Sequence, residues 1–174
     1  KPCELAVRAL DELLDYQEYP VLAAELSTKN RRPLGVGIIN FAYWLAKHGT
    51  TYTEPDLKLI DEWAEAWSYY LIKTSADLAK EKGTIPLNEE TKYGSGILPI
   101  DTYKRDVDDL VKRKLTRNWN ELRKQLKEYD IRNSTLMALM PSETSSQISN
   151  ATNGIEPPRS YVSVKQSKDG ILKQ

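Results

Sequence analysis

The chain has 174 residues, with 25 Lys and Arg against 25 Asp and Glu and therefore no formal net charge. It is long enough to bury a core of its own, and its charge balance removes the electrostatic case for nucleic acid or an anionic membrane surface. A single cysteine excludes an internal disulfide and agrees with a reducing compartment, and no apolar run approaches the roughly 20 residues of a spanning helix.

At the start, Lys1-Pro2-Cys3-Glu4 leads into no apolar core with a small-residue cleavage site, so no signal peptide is expected. The spacing predicts a helix over Glu4 to Tyr16, limited by Pro20. Leu5, Leu10, Leu13 and Leu14, with Val7 and Ala9, form its apolar stripe, and Arg8, Asp11, Glu12 and Asp15 fill the other face. Cys3 lies at its N-terminal end, where a thiolate is stabilised. Leu34 to Ile39 reads as a strand running into a helix from Asn40 to Lys47. Gly35 and Gly37 match the first two positions of a dinucleotide fingerprint, but Asn40 stands where the later glycine belongs. The two glycines are expected instead to let a neighbouring element approach the backbone closely. His48, the sole histidine, next to Gly49 closes the helix through the dipole and a left-handed cap.

Thr53-Glu54-Pro55-Asp56 starts the longest predicted helix, which continues to Lys82 and Gly83. Ile60, Trp63, Trp67, Tyr70, Leu71 and Leu78 recur at three- and four-residue steps, a packing face. Asp61, Glu62, Glu65, Asp77 and Glu81 have no histidine among them and read as a solvated acidic face. Gly83 to Asp101 is a turn-rich connection. Two shorter helices follow, one capped by Asp101 or Thr102 and reaching Arg113, the other opened by Asn118 with Glu121 as a capping box and reaching Glu128. Lys112, Arg113, Lys114 and Arg117 form a small basic cluster, offset by Asp106, Asp108, Asp109 and Glu121, and read as surface.

The stretch Asn133 to Gln147 carries the strongest chemical signal. Thr135 to Met140 is an apolar run long enough for one buried strand, and Pro141 ends it. Ser142-Glu143-Thr144-Ser145-Ser146-Gln147-Ile148-Ser149-Asn150 is rich in helix-capping residues. A strand, a tight turn and a helix start present backbone N–H groups and the positive end of a helix dipole, which is an anion site. No Lys or Arg stands between Asn133 and Pro158, so a phosphate held here rests on N–H and hydroxyl donors. An ordinary capped helix after a core strand has the same pattern. Beyond it, Tyr161 to Lys165 alternates as a strand, Lys168-Asp169-Gly170 is a turn, and Ile171-Leu172 begins another strand. Arg159, after Pro157-Pro158, is the nearest cation to the turn in this direction; a role toward substrate and a plain surface position both fit it.

The run Arg132-Asn133-Ser134-Thr135-Leu136-Met137-Ala138-Leu139-Met140-Pro141-Ser142-Glu143-Thr144-Ser145-Ser146-Gln147-Ile148-Ser149-Asn150-Ala151-Thr152-Asn153-Gly154-Ile155-Glu156-Pro157-Pro158-Arg159 resembles the catalytic large subunit of the aerobic class I ribonucleotide reductases, bacterial and phage type. Arg31 to Ala42 and Gly96 to Tyr103 extend the resemblance more loosely over nearly the whole chain. It implies an α/β fold, part of a ten-stranded α/β barrel built from two parallel five-stranded halves. The family's subunit is several times longer, so the chain is expected to be a piece of its later part. On that expectation residues 1–130 are mostly helical with one barrel strand, and residues 131–174 hold a strand, the phosphate-binding turn, a helix and a strand. The resemblance places substrate phosphates on Pro141, Ser142, Glu143, Thr144 and Ser145, and gives Arg159 a possible contact with substrate or the radical route.

The family reduces ribonucleoside diphosphates in the cytoplasm, for deoxyribonucleotide biosynthesis, through a cysteine thiyl radical. The resemblance implies no catalytic residue, cofactor or metal in this segment. The radical comes from the metal cofactor of a second, smaller subunit, ATP and deoxynucleotide effectors bind other regions, and the remainder of the large subunit, often a homodimer, completes the site. The segment alone is expected to be inactive. The radical cysteine lies in an Asn-x-Cys-x-Glu loop; Lys1 and Leu5 flank Cys3 instead, so Cys3 reads as an incidental thiol. A free-standing phosphate- or nucleotide-binding module, and a helical interaction protein using Trp63, Trp67 and Tyr70, are the alternatives.

Overall fold

The computed structural model describes residues 1–162, 164–167 and 170–173. In chain order the elements are α1 (Pro2–Tyr16), α2 (Leu22–Arg31), α3 (Phe41–Lys47), α4 (Leu57–Lys82), a 3-10 turn (Asn88–Glu90), α5 (Pro99–Thr102), α6 (Asp106–Val111), α7 (Trp119–Tyr129), α8 (Glu143–Ile148), β1 (Val164–Ser167) and β2 (Gly170–Lys173). They fall into two compact units, Lys1–Val36 with Leu57–Met137, and Gly37–Asp56 with Ala138–Gln174. Among the described residues no helix is long and apolar enough to cross a membrane.

The first unit is built on α4, which packs against α1, α6 and α7. Its core joins Leu71, Ile72, Ala76 and Leu78 of α4 to Val7, Trp119, Leu122, Leu126, Ile131 and Leu136. The aromatic spacing read as a packing face holds in part: Trp67 lies against this core and Trp63 stacks on Trp67 with ring centroids 5.8 Å apart, but Tyr70 is 42% exposed and its neighbour Tyr69 takes the core side. In α1 the apolar stripe needs correcting. Cys3, Val7, Leu10 and Leu14 share the core face, while Leu5 and Leu13 are 59% and 51% exposed. The predicted stripe had merged two faces of one helix.

Asp11, read as solvent-facing, is buried, because the equally buried Arg32 meets it: Arg32 Nε donates to Asp11 Oδ1 at 2.7 Å and Nη2 to the Asp11 carbonyl at 2.6 Å. Asn133 Nδ2 donates to the same carboxylate at 3.0 Å, and Arg132 pairs with its other oxygen at 3.3 Å. Burial pushes the Asp11 carboxyl up, but the bonds from Arg32 and Asn133 and the nearby charge of Arg132 outweigh it and hold the group below the usual carboxylate range.

Glu65 departs from the predicted acidic face in the same way. It is 6% exposed and accepts from Arg113 Nη2 (2.8 Å), the Thr116 and Arg117 N–H groups (both 2.9 Å) and Trp119 Nε1 (3.0 Å). Arg113 therefore leaves the surface cluster to which its neighbours belong. It also pairs with Asp61 at 2.5 Å. The single helix expected from Asp101 to Arg113 is two, α5 and α6, separated by an extended Tyr103. Asp101 does not start α5; its Oδ2 accepts the Leu98 N–H at 2.8 Å from inside the first turn. The opening of α7 follows the sequence in part, with Asn118 Oδ1 taking the Glu121 N–H at 3.1 Å, the N-cap half of the expected capping box. None of the residues of α2 is buried, so it carries no apolar periodicity toward a core.

The two predicted strands around residues 36 and 137 shrink to one parallel bridge, Val36 to Met137, with Leu34 N–H to Thr135 O at 3.0 Å and Val36 N–H to Leu136 O at 2.8 Å. Parallel ladders are stable inside sheets covered on both faces. Two short segments side by side support no more than a bridge. Among the described residues the α/β character is thus limited to this bridge and the hairpin of the second unit, and the chain is helix-rich.

In the second unit α3 ends as predicted. His48 is the capping residue, and Gly49, at φ 67°, donates to the Ala46 carbonyl at 3.0 Å. Strands β1 and β2 pair antiparallel from Val164 with Lys173 to Ser167 with Gly170. The first strand thus starts later than the alternation from Tyr161 suggested, and Lys168 and Asp169 of the predicted turn lie outside the described residues.

Candidate functional site

The apolar run before the turn is less buried than expected of a core strand. Leu136 is fully buried, whereas Leu139 is 60% exposed. Gly37 supplies the close approach inferred for it: a Cβ there would lie 2.5 Å from Met140 Sδ and 2.8 Å from the Ala138 carbonyl. Pro141 then leads into α8, and Ser142 is its N-cap residue. Pro141, Glu143, Thr144 and Ser145 are exposed and Ser142 is half-buried.

Ser142 does not cap with its side chain. Its Oγ bonds back to the Met140 carbonyl at 3.3 Å, and its backbone N–H is taken by Asn153 Oδ1 at 2.7 Å. The first helical bond, Ser146 N–H to Ser142 O at 2.9 Å, leaves the N–H groups of residues 143–145 ahead of the intrahelical ladder. Ser146 is buried and its hydroxyl donates to the Glu143 carbonyl at 3.0 Å. At the other end of α8 the Ala151 N–H returns to Ser146 O at 2.8 Å.

The segment 152–154 is fastened to the start of α3. Asn40 N–H donates to Thr152 O at 2.9 Å, Asn40 Oδ1 accepts the Thr152 N–H at 3.2 Å, and Phe41 N–H reaches Gly154 O at 3.3 Å. Asn40 holds a left-handed backbone, φ 65°, that suits asparagine better than most residues. A cleft of about 970 Å3 opens on this side, lined by Asn40, Glu143, Asn153, Arg159 and Tyr161 among others. Arg159 and Glu143 thus border one space. Neither Asn40 nor Asn153 was given a role at the turn from the sequence; the one local cue was Asn153 before Gly154, a turn dipeptide.

Cys3 sits half-buried against the first unit's core, and burial raises its thiol above the ordinary value, opposite to the thiolate expected at a helix start. Among the described residues no group of three or more His, Cys, Asp or Glu side chains is placed to hold a metal ion.

Residues 1–174 match the family model described as the ribonucleotide reductase barrel domain. The chain belongs to that family. It is 60% identical over 170 residues to the ribonucleoside-diphosphate reductase subunit alpha of Haemophilus influenzae, covering 97% of this chain and 22% of the relative. The Escherichia coli ribonucleoside-diphosphate reductase 1 subunit alpha is 60% identical over 162 residues, 92% of this chain and 21% of its own length. The subunit alpha of Enterobacteria phage T4 is 52% identical over 171 residues, 98% of this chain and 22% of the relative. The chain therefore spans about a fifth of the length of the curated relatives it matches. In this reductase barrel segment the turn 141–145 is tethered through Ser142, and no lysine or arginine stands between Asn133 and Pro158.

Proposed function

We propose that this chain is the part of a ribonucleoside-diphosphate reductase large subunit that anchors the substrate's phosphates. The match to the reductase barrel domain along the whole chain carries the reading. Pro141, Ser142, Glu143, Thr144 and Ser145 form the anchoring turn, with N–H groups at the start of α8 and the Thr144 and Ser145 hydroxyls as donors, and with Arg159 bordering the neighbouring cleft. The Ser142 N–H is already committed to Asn153, so the backbone donors come from Thr144 and Ser145.

The wider activity follows as part of the same proposal. The complete subunit reduces ribonucleoside diphosphates to 2′-deoxyribonucleoside diphosphates in the cytoplasm. A thiyl radical elsewhere in the subunit performs the chemistry, the metal cofactor of a small second subunit supplies that radical, and ATP and deoxynucleotide effectors bind other regions of a dimeric large subunit. The Val36–Met137 bridge is then one rung of the parallel pairing that builds the ten-stranded barrel.

The test is nucleoside diphosphate titration of the assembled large subunit. Losing the Thr144 or Ser145 hydroxyl weakens binding by about 1–2 kcal/mol, as for hydrogen bonds to a charged group. Ser145→Pro weakens it more than Ser145→Ala, because proline fits a first helical turn but brings no N–H. Glu143→Gln does not weaken it, since a carboxylate repels the ligand's charge. If Ser145→Pro and the hydroxyl deletions all bind like the parent, the turn is only a helix start.

A further inference from the structure

We propose that Asn153, whose chain neighbour Thr152 is held by Asn40, is a positioning residue for the substrate-phosphate turn; the inference rests on the phosphate-anchoring reading above. The structure separates the two jobs that a capping serine usually combines. Ser142 stands at the N-cap position, yet no side-chain bond from it reaches the helix. What fixes that corner is an amide eleven residues further on, with Asn153 Oδ1 2.7 Å from the Ser142 N–H. A backbone N–H is a donor, so it requires the oxygen of that amide.

Ser142 is thereby pinned through both of its backbone groups, the N–H by Asn153 and the carbonyl by Ser146 N–H at 2.9 Å. The same segment takes hold of the far end of α8 through Ala151 N–H and Ser146 O, 2.8 Å apart. It has an anchor of its own in the reciprocal pair between Asn40 and Thr152, at 2.9 and 3.2 Å. A helix of six residues does not stand by itself in water. The direction of its first N–H groups is set by this external frame, and those are the groups assigned to the phosphate. Asn153 donates nothing to substrate in this account; it aims the groups that do.

Steady-state kinetics of the full-length large subunit with its radical-generating partner test the assignment. Asn153→Leu removes the acceptor at similar size and raises KM for ribonucleoside diphosphate about tenfold, with kcat within about twofold of the parent. Inhibition by inorganic pyrophosphate weakens in parallel. Asn153→Asp keeps an acceptor oxygen and recovers a KM near the parent's when both are compared in high salt, where its added charge is screened. Should Asn153→Leu not fold, Asn40→Gly serves instead, since glycine accepts the left-handed backbone while losing Oδ1, and KM rises about threefold.

A merely structural role gives a different pattern: a lower Tm and less activity per mole of protein, with KM unchanged. That result, or an aspartate no better than leucine, overturns the proposal. If the Ser145→Pro and hydroxyl variants lose phosphate binding while Asn153→Leu keeps it, the positioning role falls and the anchoring reading stands. If those variants and Asn153→Leu all bind like the parent, both fall.

Discussion

Replacing Glu65 with glutamine probes the tie that holds residues 112–119 to α4. The carboxylate accepts from Arg113 Nη2, the Thr116 N–H and hydroxyl, the Arg117 N–H and Trp119 Nε1, all at 2.8–3.2 Å. An amide offers one acceptor oxygen and turns an NH2 donor toward the remaining donors. Whichever way the amide sits, either Arg113 Nη2 or the pair Arg117 N–H and Trp119 Nε1 then loses its acceptor, at about 1–3 kcal/mol for each donor. The acid–base behaviour of Glu65 gives the same scale. Burial alone would raise its pKa, but the N–H of Arg117, the Arg113 guanidinium, Trp119 and Thr116 hold it at about 2 instead of 4.5. That difference corresponds to about 3 kcal/mol. Amide hydrogen exchange of a peptide covering residues 115–119 in the full-length subunit is the local assay. Glu65→Gln is expected to speed exchange there about a hundredfold. Exchange within about threefold of the parent would refute the reasoning, for the segment would then be held by something other than the carboxylate.

Acid should loosen the same segment. The folded pKa of Glu65 lies below its unfolded value, so its stabilisation is present above about pH 4.5 and is lost as pH falls toward 2, measurable as rising exchange at residues 115–119 over that window. Gly37→Ala places a Cβ 2.8 Å from the Ala138 carbonyl, a backbone atom that cannot swing aside, and is expected to cost about 1–3 kcal/mol, or roughly 3–10 °C in thermal unfolding. Cys3→Ser in the full-length subunit, assayed with its radical-generating partner, is expected to leave turnover unchanged; lost turnover would place that thiol in the redox chemistry.

What the sequence disclosed follows from where each signal resides. Helices α1 and α4 announce themselves because apolar residues at three- and four-residue steps must face a core, and α7 is visible through its Asn118 cap because the partner is three residues away. Asp11 and Glu65 misled because an acidic residue on an amphipathic helix reads as solvent-facing unless its counter-charge is known. Those partners are Arg32, 21 residues on, and Arg113, 48 residues on, a separation no periodicity reveals. Helix α2 buries nothing and so writes nothing into the pattern. The apolar run 135–140 suggested a full strand because composition reports burial but not how many neighbours share a ladder.

The candidate site divides along the same line. Pro141 to Ser145 is contiguous, and its chemistry can be read residue by residue. Asn40 and Asn153 work through bonds spanning 112 and 11 residues, between Asn40 and Thr152 and between Asn153 and Ser142, and became evident once the backbone was in place.

The central claim, that this turn holds substrate by its phosphates, is tested most directly by comparing a ribonucleoside diphosphate with the corresponding ribonucleoside. Calorimetric titration of the full-length large subunit, parent and Ser145→Pro, gives both affinities. The account predicts that the parent binds the diphosphate more tightly than the nucleoside, and that Ser145→Pro narrows the gap while nucleoside affinity stays the same. A variant that keeps the parent's full preference for the diphosphate would contradict it.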